Sequence, residues 1–311
     1  MTVKVSRPSI DIRGTLDELN KPSGIAGEAM LRADSVQEQR NLIGAGRKNL
    51  LINGGFDVWQ RGTSMSNPSS THYLADRVQF YGGSRGDSLV ARSTDVPAGE
   101  RFKYSMAVTA IQANGLPFYR QTIEDFTTVV PNTHGWAMSF WAKASVPMTI
   151  SSDLGDASPE THSLTTSWQR FTNIIPAGTA FTYSAFDLEG NSSAGIIYVT
   201  GCQLELGSVA TDFEHRSYGE ELALCQRYYE TGNLNFREQS YTAGAWSTAY
   251  VNYKFTKRSP VTFSHTVGVA SGWSLFPNHQ GFTDSYQLRL QASSASQNGY
   301  YYFSWVADAE L

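Results

Sequence analysis

The chain has 311 residues, a mass of 34.3 kDa, 41% hydrophobic but only 17% charged residues, and a net charge of −4 with a pI near 5.9. That length suits about two domains, and the charge balance excludes a strongly basic nucleic-acid binder. An aromatic content of 13% supplies more core than a disordered protein carries.

Residues 1–47 contain no aromatic side chain, and the first one in the chain is Phe56. Met1-Thr2-Val3-Lys4 opens without an apolar signal core. No apolar run approaches the ~18 residues that cross a bilayer, so no membrane insertion is expected. Lys21-Pro22-Ser23-Gly24 is a break, and Gly27 to Ile43 is helix-compatible. Ala26, Met30, Ala33, Gln37 and Arg40 share one stripe, with Leu31, Val36, Leu42 and Ile43 around it. Gly44-Ala45-Gly46 stops it. So thin a stripe does not hold a helix in water. It packs on later parts of the chain, on copies of itself or on a partner; otherwise the segment is a flexible leader.

Residues 48–217 read as short strands punctuated by Gly, Ser, Thr and Asn, the pattern of a sandwich or barrel. Trp136, Met138 and Phe140 share one face of the run from Trp136 to Ala142, and strands are also expected from Trp168 to Ile174 and from Ala194 to Leu206. Residues 218–230 switch to helical spacing at Leu222, Cys225, Gln226 and Tyr229, with Glu220 and Glu221 at the favourable end of the dipole. They predict a short linker helix acting as hinge or spacer. Residues 231–311 return to strand. Val251, Tyr253 and Phe255 alternate with polar residues, as do Tyr286, Leu288 and Leu290. After an expected turn at Asn298-Gly299, Tyr300 to Trp305 carries aromatics on both faces and calls for cover on both sides or an oligomer interface.

The residues give little sign of catalysis. The six histidines stand apart, and no nucleophile elbow, P-loop or zinc spacing occurs. Cys202 and Cys225 read as two separate buried thiols, with a disulfide between them as the alternative. Glu124-Asp125, Asp153 with Asp156, Glu205, and Asp212 with Glu214 read as solvated carboxylates rather than a glycan-cleaving pair. Asp153 to Asp156 only loosely resembles a calcium loop. No enzyme activity, metal or cofactor is assigned. Aromatic faces beside polar groups on a rigid sheet are how a sandwich holds a sugar. The candidates are Tyr119 with Arg120, Trp141, Trp168 and Tyr183, each of which could instead be core.

Several stretches, taken in order, resemble a module common in tailed-bacteriophage tail fibre proteins. They are Asn49 to Thr63 (NLLINGGFDVWQRGT) followed by Tyr73-Leu74-Ala75-Asp76-Arg77; Trp136 to Ala144; Ser167 to Phe171; Cys202 to Gly207; and Phe213 to Tyr229. They span about residues 48–230, and the ending from Ala307 to Leu311 is similar, less specifically, to the C-terminal part of such proteins.

The resemblance implies a mainly β fold. It comprises a jelly-roll sandwich at 48–217 related to carbohydrate-binding modules, a smaller antiparallel β-domain at 231–311, and an extended or helical segment at 1–47. It implies a homotrimeric virion protein of the phage tail, made in the host cytoplasm. Residues 1–47 would attach to tail proteins through Leu16, Leu19, Ile25, Met30 and Val36. The β-domains would bind a bacterial surface polysaccharide, with no nucleic-acid partner. The alternatives are a virion adaptor or decoration protein that docks other fibre subunits, and, less favoured, a glycan depolymerase tailspike. The opening Asn53-Gly54-Gly55-Phe56-Asp57 is similar to the first strand of calcium-containing modules. Their late Asp is missing from Tyr198-Val199-Thr200-Gly201-Cys202.

Overall fold

The computed structural model describes residues 48–66, 71–81, 89–109, 117–124, 135–183, 185–190, 195–240, 242–275 and 280–310. The expected N-terminal helix and the attachment residues Leu16, Leu19, Ile25, Met30 and Val36 lie outside them. Asn49–Leu311 belong to one unit.

The fold is mainly β, with two six-stranded antiparallel sheets packed face to face in the jelly-roll manner. Sheet I runs β1 (Ser64–Ser66), β4 (Leu89–Ser93), β5 (Ser105–Thr109), β12 (Ile196–Leu206), β7 (Trp136–Ala144), β10 (Gln169–Ile175). Sheet II runs β2 (Thr71–Tyr73), β3 (Gln79–Tyr81), β6 (Pro117–Thr122), β11 (Ala185–Gly190), β8 (Met148–Leu154), β9 (Ala157–Leu164). The period-2 alternation of β7 sends Trp136, Met138, Phe140, Ala142 and Ala144 inward. There they meet Tyr119, Ile150, Phe186 and Leu188 of sheet II. Phe186 stands edge-on to Tyr119 at 5.5 Å and to Phe140 at 6.5 Å, the geometry that aromatic quadrupoles favour. Burying each such side chain contributes about 1.5–3 kcal/mol.

The opening motif is not a strand. Asn49 and Asn53 make it a buried staple. The Asn49 amide donates to the Cys202 carbonyl at 3.1 Å and its oxygen accepts from Leu51 and Leu204 N–H at 3.0 and 3.1 Å. Asn53 donates to the Val58 and Asp76 carbonyls, both at 2.9 Å. Arg216 then donates to the Leu51 and Asn49 carbonyls, and Asn53 N–H to Glu221. The calcium of the similar modules does not fit this arrangement. An amide nitrogen faces the Cys202 carbonyl, and Gln121 takes the Ile52 carbonyl at 2.7 Å. No group of three or more His, Cys, Asp or Glu among the described residues is placed to hold a metal.

Helix α1 (Tyr218–Gln226) is capped by Ser217, whose hydroxyl accepts the Glu220 N–H at 3.3 Å. It is docked and does not stand free as a spacer. Leu222, Leu224 and Cys225 pack with Tyr228 on Ile52 and Val58, and Glu221 is buried. Cys202 and Cys225 are both free and buried, as two separate thiols.

Two smaller antiparallel sheets follow. Sheet III runs β13 (Tyr229–Ser240), β19 (Ser296–Asp308), β15 (Thr262–Ser271). In sheet IV, β18 (Ser285–Ala292) lies between β14 (Trp246–Asn252) on one side and β16 (Trp273–Leu275) and β17 (Gln280–Gly281) on the other. They share a core of Val251, Leu288, Leu290, Tyr301, Phe303 and Trp305. Two expectations shift here. The strand read through Phe255 ends at Asn252, because Tyr253 N–H turns to the Asp284 carbonyl at 3.0 Å and Lys254 N–H to Glu230 at 3.2 Å. Asn298-Gly299 is no turn: β19 continues through it, with a register shift against β13 between Gly299 and Ser296. Gly299 is required because a Cβ there would sit 2.5 Å from the Trp273 indole nitrogen. On β19, Tyr301, Phe303 and Trp305 are buried while Tyr300 and Tyr302 are exposed, so this chain covers one face of the strand.

Candidate functional site

The five sugar-binding candidates fall in three places. Tyr119 is a correction: it is fully buried between the sheets and has no face to offer a ligand. Successive residues of a strand point to opposite faces, so with Arg120 outward Tyr119 turns inward. A register shift, which pairs Leu188 with Tyr119 but Glu189 with Pro117, brings Phe118 inward as well.

Arg120 and Tyr183 meet on the outer face of sheet II. Arg120 grips Asp187 bidentately, Nε to Oδ1 at 2.7 Å and Nη2 to Oδ2 at 2.6 Å. Its guanidinium lies 4.5 Å from the Tyr183 ring centroid. The Tyr183 hydroxyl is 2.6 Å from Asp187 and 2.8 Å from Asp156, and its one proton serves one of them. These polar groups are engaged with one another, so the pair works as a closed brace for the loop before β11.

Asp153 stands directly across from Asp187 in the β8–β11 register. Burial, then the Asp187 charge, push its carboxyl from 3.8 up to about 7. It is therefore not the solvated carboxylate expected, and neither is Glu205. Glu205 is 1% exposed and accepts from Thr211 N–H at 3.0 Å and Gln203 at 2.8 Å. The native state holds the Asp153 proton to higher pH than the unfolded chain. This contribution to stability is complete below about pH 4 and is lost as pH rises toward 7. Asp153→Asn should flatten that decline, with the melting temperature of the variant changing less than wild type between pH 5 and pH 8. Parallel melting curves across that range would refute it.

Trp141 and Trp168 lie on the outer face of sheet I, on the other side of the sandwich. Trp141 and Lys143 alternate outward on β7. Their cross-strand partners on β12 are Thr200 and Tyr198. Lys143 Nζ sits between two rings, 5.0 Å from the Tyr198 centroid and 5.6 Å from that of Trp168. The two rings meet edge to face at 6.5 Å. Asp95 ties the group together, accepting from Trp168 Nε1 at 3.0 Å and from Lys143. Partial burial works against the Asp95 carboxylate, but these two hydrogen bonds outweigh it and hold the carboxyl below its usual range. Gly201, at φ +64°, leaves room for Phe102 and Trp141, since a Cβ would lie 2.6 Å from one ring and 3.1 Å from the other. Trp141, Lys143, Trp168 and Tyr198 are all half-buried.

Sequence reasoning found the two tryptophans of this row and missed Lys143, Tyr198 and Asp95. Lys143 was legible, because it shares the parity of Trp141 in the same strand. Asp95 was not, since it reaches the row from the connection after β4.

No family model matches the chain, and no curated protein matches it. Among solved structures it is similar to the CBM22-1 xylan-binding domain from Paenibacillus barcinonensis Xyn10C, at 16% identity and a TM-score of 0.33, over 53% of this chain and 100% of that one. A putative sugar binding protein from Bacteroides thetaiotaomicron is similar at 13% identity and a TM-score of 0.37, over 51% of this chain and 100% of the other. The enzymatically active domain of bacteriophage CBA120 tailspike protein 4 is similar at 18% identity and a TM-score of 0.32, over 51% of this chain and 21% of the other. Likenesses this distant assign no role to the chain.

Proposed function

We propose that this protein is a non-enzymatic glycan-binding component of a bacteriophage tail fibre. Residues 1–47 join it to the tail of the virion, and it works as a homotrimer whose β-domains engage a bacterial surface polysaccharide. The observation that carries the glycan reading is the row on sheet I: Trp141, Lys143, Trp168 and Tyr198 in register on one rigid face, with Asp95 beside them. Ring faces cover the apolar CH groups of a sugar, and the ammonium and carboxylate take its hydroxyls. The phage reading rests on the ordered stretches from Asn49 to Tyr229 that resemble tail fibre proteins.

Titration against a panel of bacterial surface polysaccharides tests the glycan reading. Trp168→Ala should weaken binding about tenfold or more, as loss of a central aromatic anchor does, without release of reducing ends in either protein. Binding that survives Trp168→Ala and Tyr198→Ala together would exclude this face. A chain lacking residues 1–47 should still bind cells but fail to enter virions.

A second reading, an adaptor that docks other fibre subunits, draws on Val267, Val269, Tyr300 and Tyr302, all exposed in this chain. It expects self-association without cell binding.

A further inference from the structure

We infer that the outer face of sheet IV is a second carbohydrate site, built for a sugar chain that carries uronic-acid carboxylates. It shares no residue with the row on sheet I and stands independently of it. Along β14, Ala249 and Val251 point into the core, which leaves Trp246, Thr248 and Tyr250 outward. Along β18, Leu288 and Leu290 are fully buried, which leaves Gln287, Arg289 and Gln291 outward. The antiparallel register sets these two rows side by side: Trp246 faces Gln291, Thr248 faces Arg289 and Tyr250 faces Gln287.

The array has the parts of a sugar platform. Trp246 and Tyr250 are 53% and 51% exposed, on a strand whose other face is anchored in the core. That is unusual exposure for large rings, and a cross-strand neighbour holds Tyr250. Gln287 Nε2 donates to the Tyr250 hydroxyl at 2.9 Å. Four residues of strand separate the rings by about 13 Å, too far for one sugar ring and suited to a chain. Between them lie the short Thr248 side chain and two amides, which donate to and accept from hydroxyls.

Charge decides the class of chain. The strands of sheet IV contain no Asp or Glu, and Arg289 is their one cation. Among the described residues no carboxylate pairs with it. Asp284, just before β18, is hydrogen-bonded to Ser285 at 2.9 Å. An exposed guanidinium at the centre of an aromatic–amide platform, with no acid beside it, complements a carboxylate through a charge-assisted, bidentate contact.

Isothermal titration of the full chain with an oligogalacturonate and with its methyl ester isolates the charge on one sugar skeleton. The free acid should bind about tenfold more tightly than the ester, about 1.4 kcal/mol. Arg289→Gln should abolish that preference, and Trp246→Ala should weaken both ligands. Trp168→Ala should leave both unchanged, which separates failure here from failure of the sheet I reading. All three side chains are at least partly exposed, so the variants should fold, as circular dichroism would check. The proposal falls if neither oligosaccharide binds, or if Arg289→Gln keeps the acid preference. It falls equally if Trp246→Ala alters the sedimenting mass without altering sugar binding, since the face is then a subunit contact.

Discussion

Replacing Arg77 with Met should lower stability by about 3 kcal/mol or more, the loss that follows when one partner of a buried ion pair is removed. Arg77 is 2% exposed and Glu310, its partner, 5%. The guanidinium also donates to the Thr122 carbonyl at 2.7 Å and lies 3.6 Å from the Tyr228 ring centroid. Met keeps the aliphatic stem and discards all of these. Glu310 keeps one cation, Arg61 at 3.1 Å, which itself reaches Asp76 at 3.4 Å and stacks over Tyr229 at 3.5 Å. That residual partner sets the loss at the lower end of the range. The residues involved come from the sandwich, from the start of sheet III and from the chain after β19. The variant should therefore unfold in two steps where wild type unfolds in one. Urea denaturation followed by fluorescence and by far-ultraviolet dichroism would show it as separated midpoints. Coincident curves with a shift under about 1 kcal/mol would refute the expectation. Arg77→Lys should recover only part of the loss, because a point charge cannot serve Glu310 and Thr122 together.

Lys257→Met should cost about 3–5 kcal/mol by the same principle in a drier place. The Lys257 and Glu230 side chains are 0% and 1% exposed and 2.5 Å apart. Lys257 also donates to the Gln226 carbonyl at the end of α1, and Glu230 accepts the Lys254 N–H at 3.2 Å. Burial pushes the Lys257 ammonium below its ordinary pKa, while Glu230 pulls it back up. Met at this position strands the Glu230 carboxylate in the core. The double variant Lys257→Met with Glu230→Gln should regain most of the loss, because the amide still accepts from Lys254 N–H without a charge to solvate. A thermodynamic cycle over the four proteins measures the coupling. A double variant as unstable as Lys257→Met alone would show that the pair is not what matters.

Parity made much of the fold legible. One alternating run placed Trp136, Met138 and Phe140 inward, and the same arithmetic located β18 through Leu288 and Leu290. It failed wherever a distant strand decides the environment. Tyr119 looked like a ligand-facing ring beside Arg120, but neighbours on one strand face opposite sides and the inward side of β6 is the one that carries Tyr119. Asp153 looked like a solvated carboxylate, but the fold buries it opposite Asp187 on β11, and burial first, then that charge, raise its pKa. The stretches that resemble tail fibres carried another lesson. Asn49, Asn53, Gln203, Glu205 and Arg216 are engaged in backbone and side-chain hydrogen bonds that close the sandwich. Their recognisable spelling reports how the module is sewn shut, and it takes in Trp141, Lys143 and Trp168 of the sheet I row but not Tyr198 or Asp95.

The placing of β19 has a kinetic consequence. It comes last in sequence among the strands of sheet III and lies in the middle of that sheet, where Tyr229 pairs with Asp308. During synthesis β13 and β15 therefore wait, without a common partner, until β19 has left the ribosome. Sheets I and II need no strand beyond β12 to complete their pairing, so folding should run from the N-terminal module to the C-terminal one. Meanwhile, the edges of β13 and β15, the latter carrying the exposed Val267 and Val269, stand open to a neighbouring chain. Pairings this far apart in sequence form slowly, and that interval is when aggregation competes with folding.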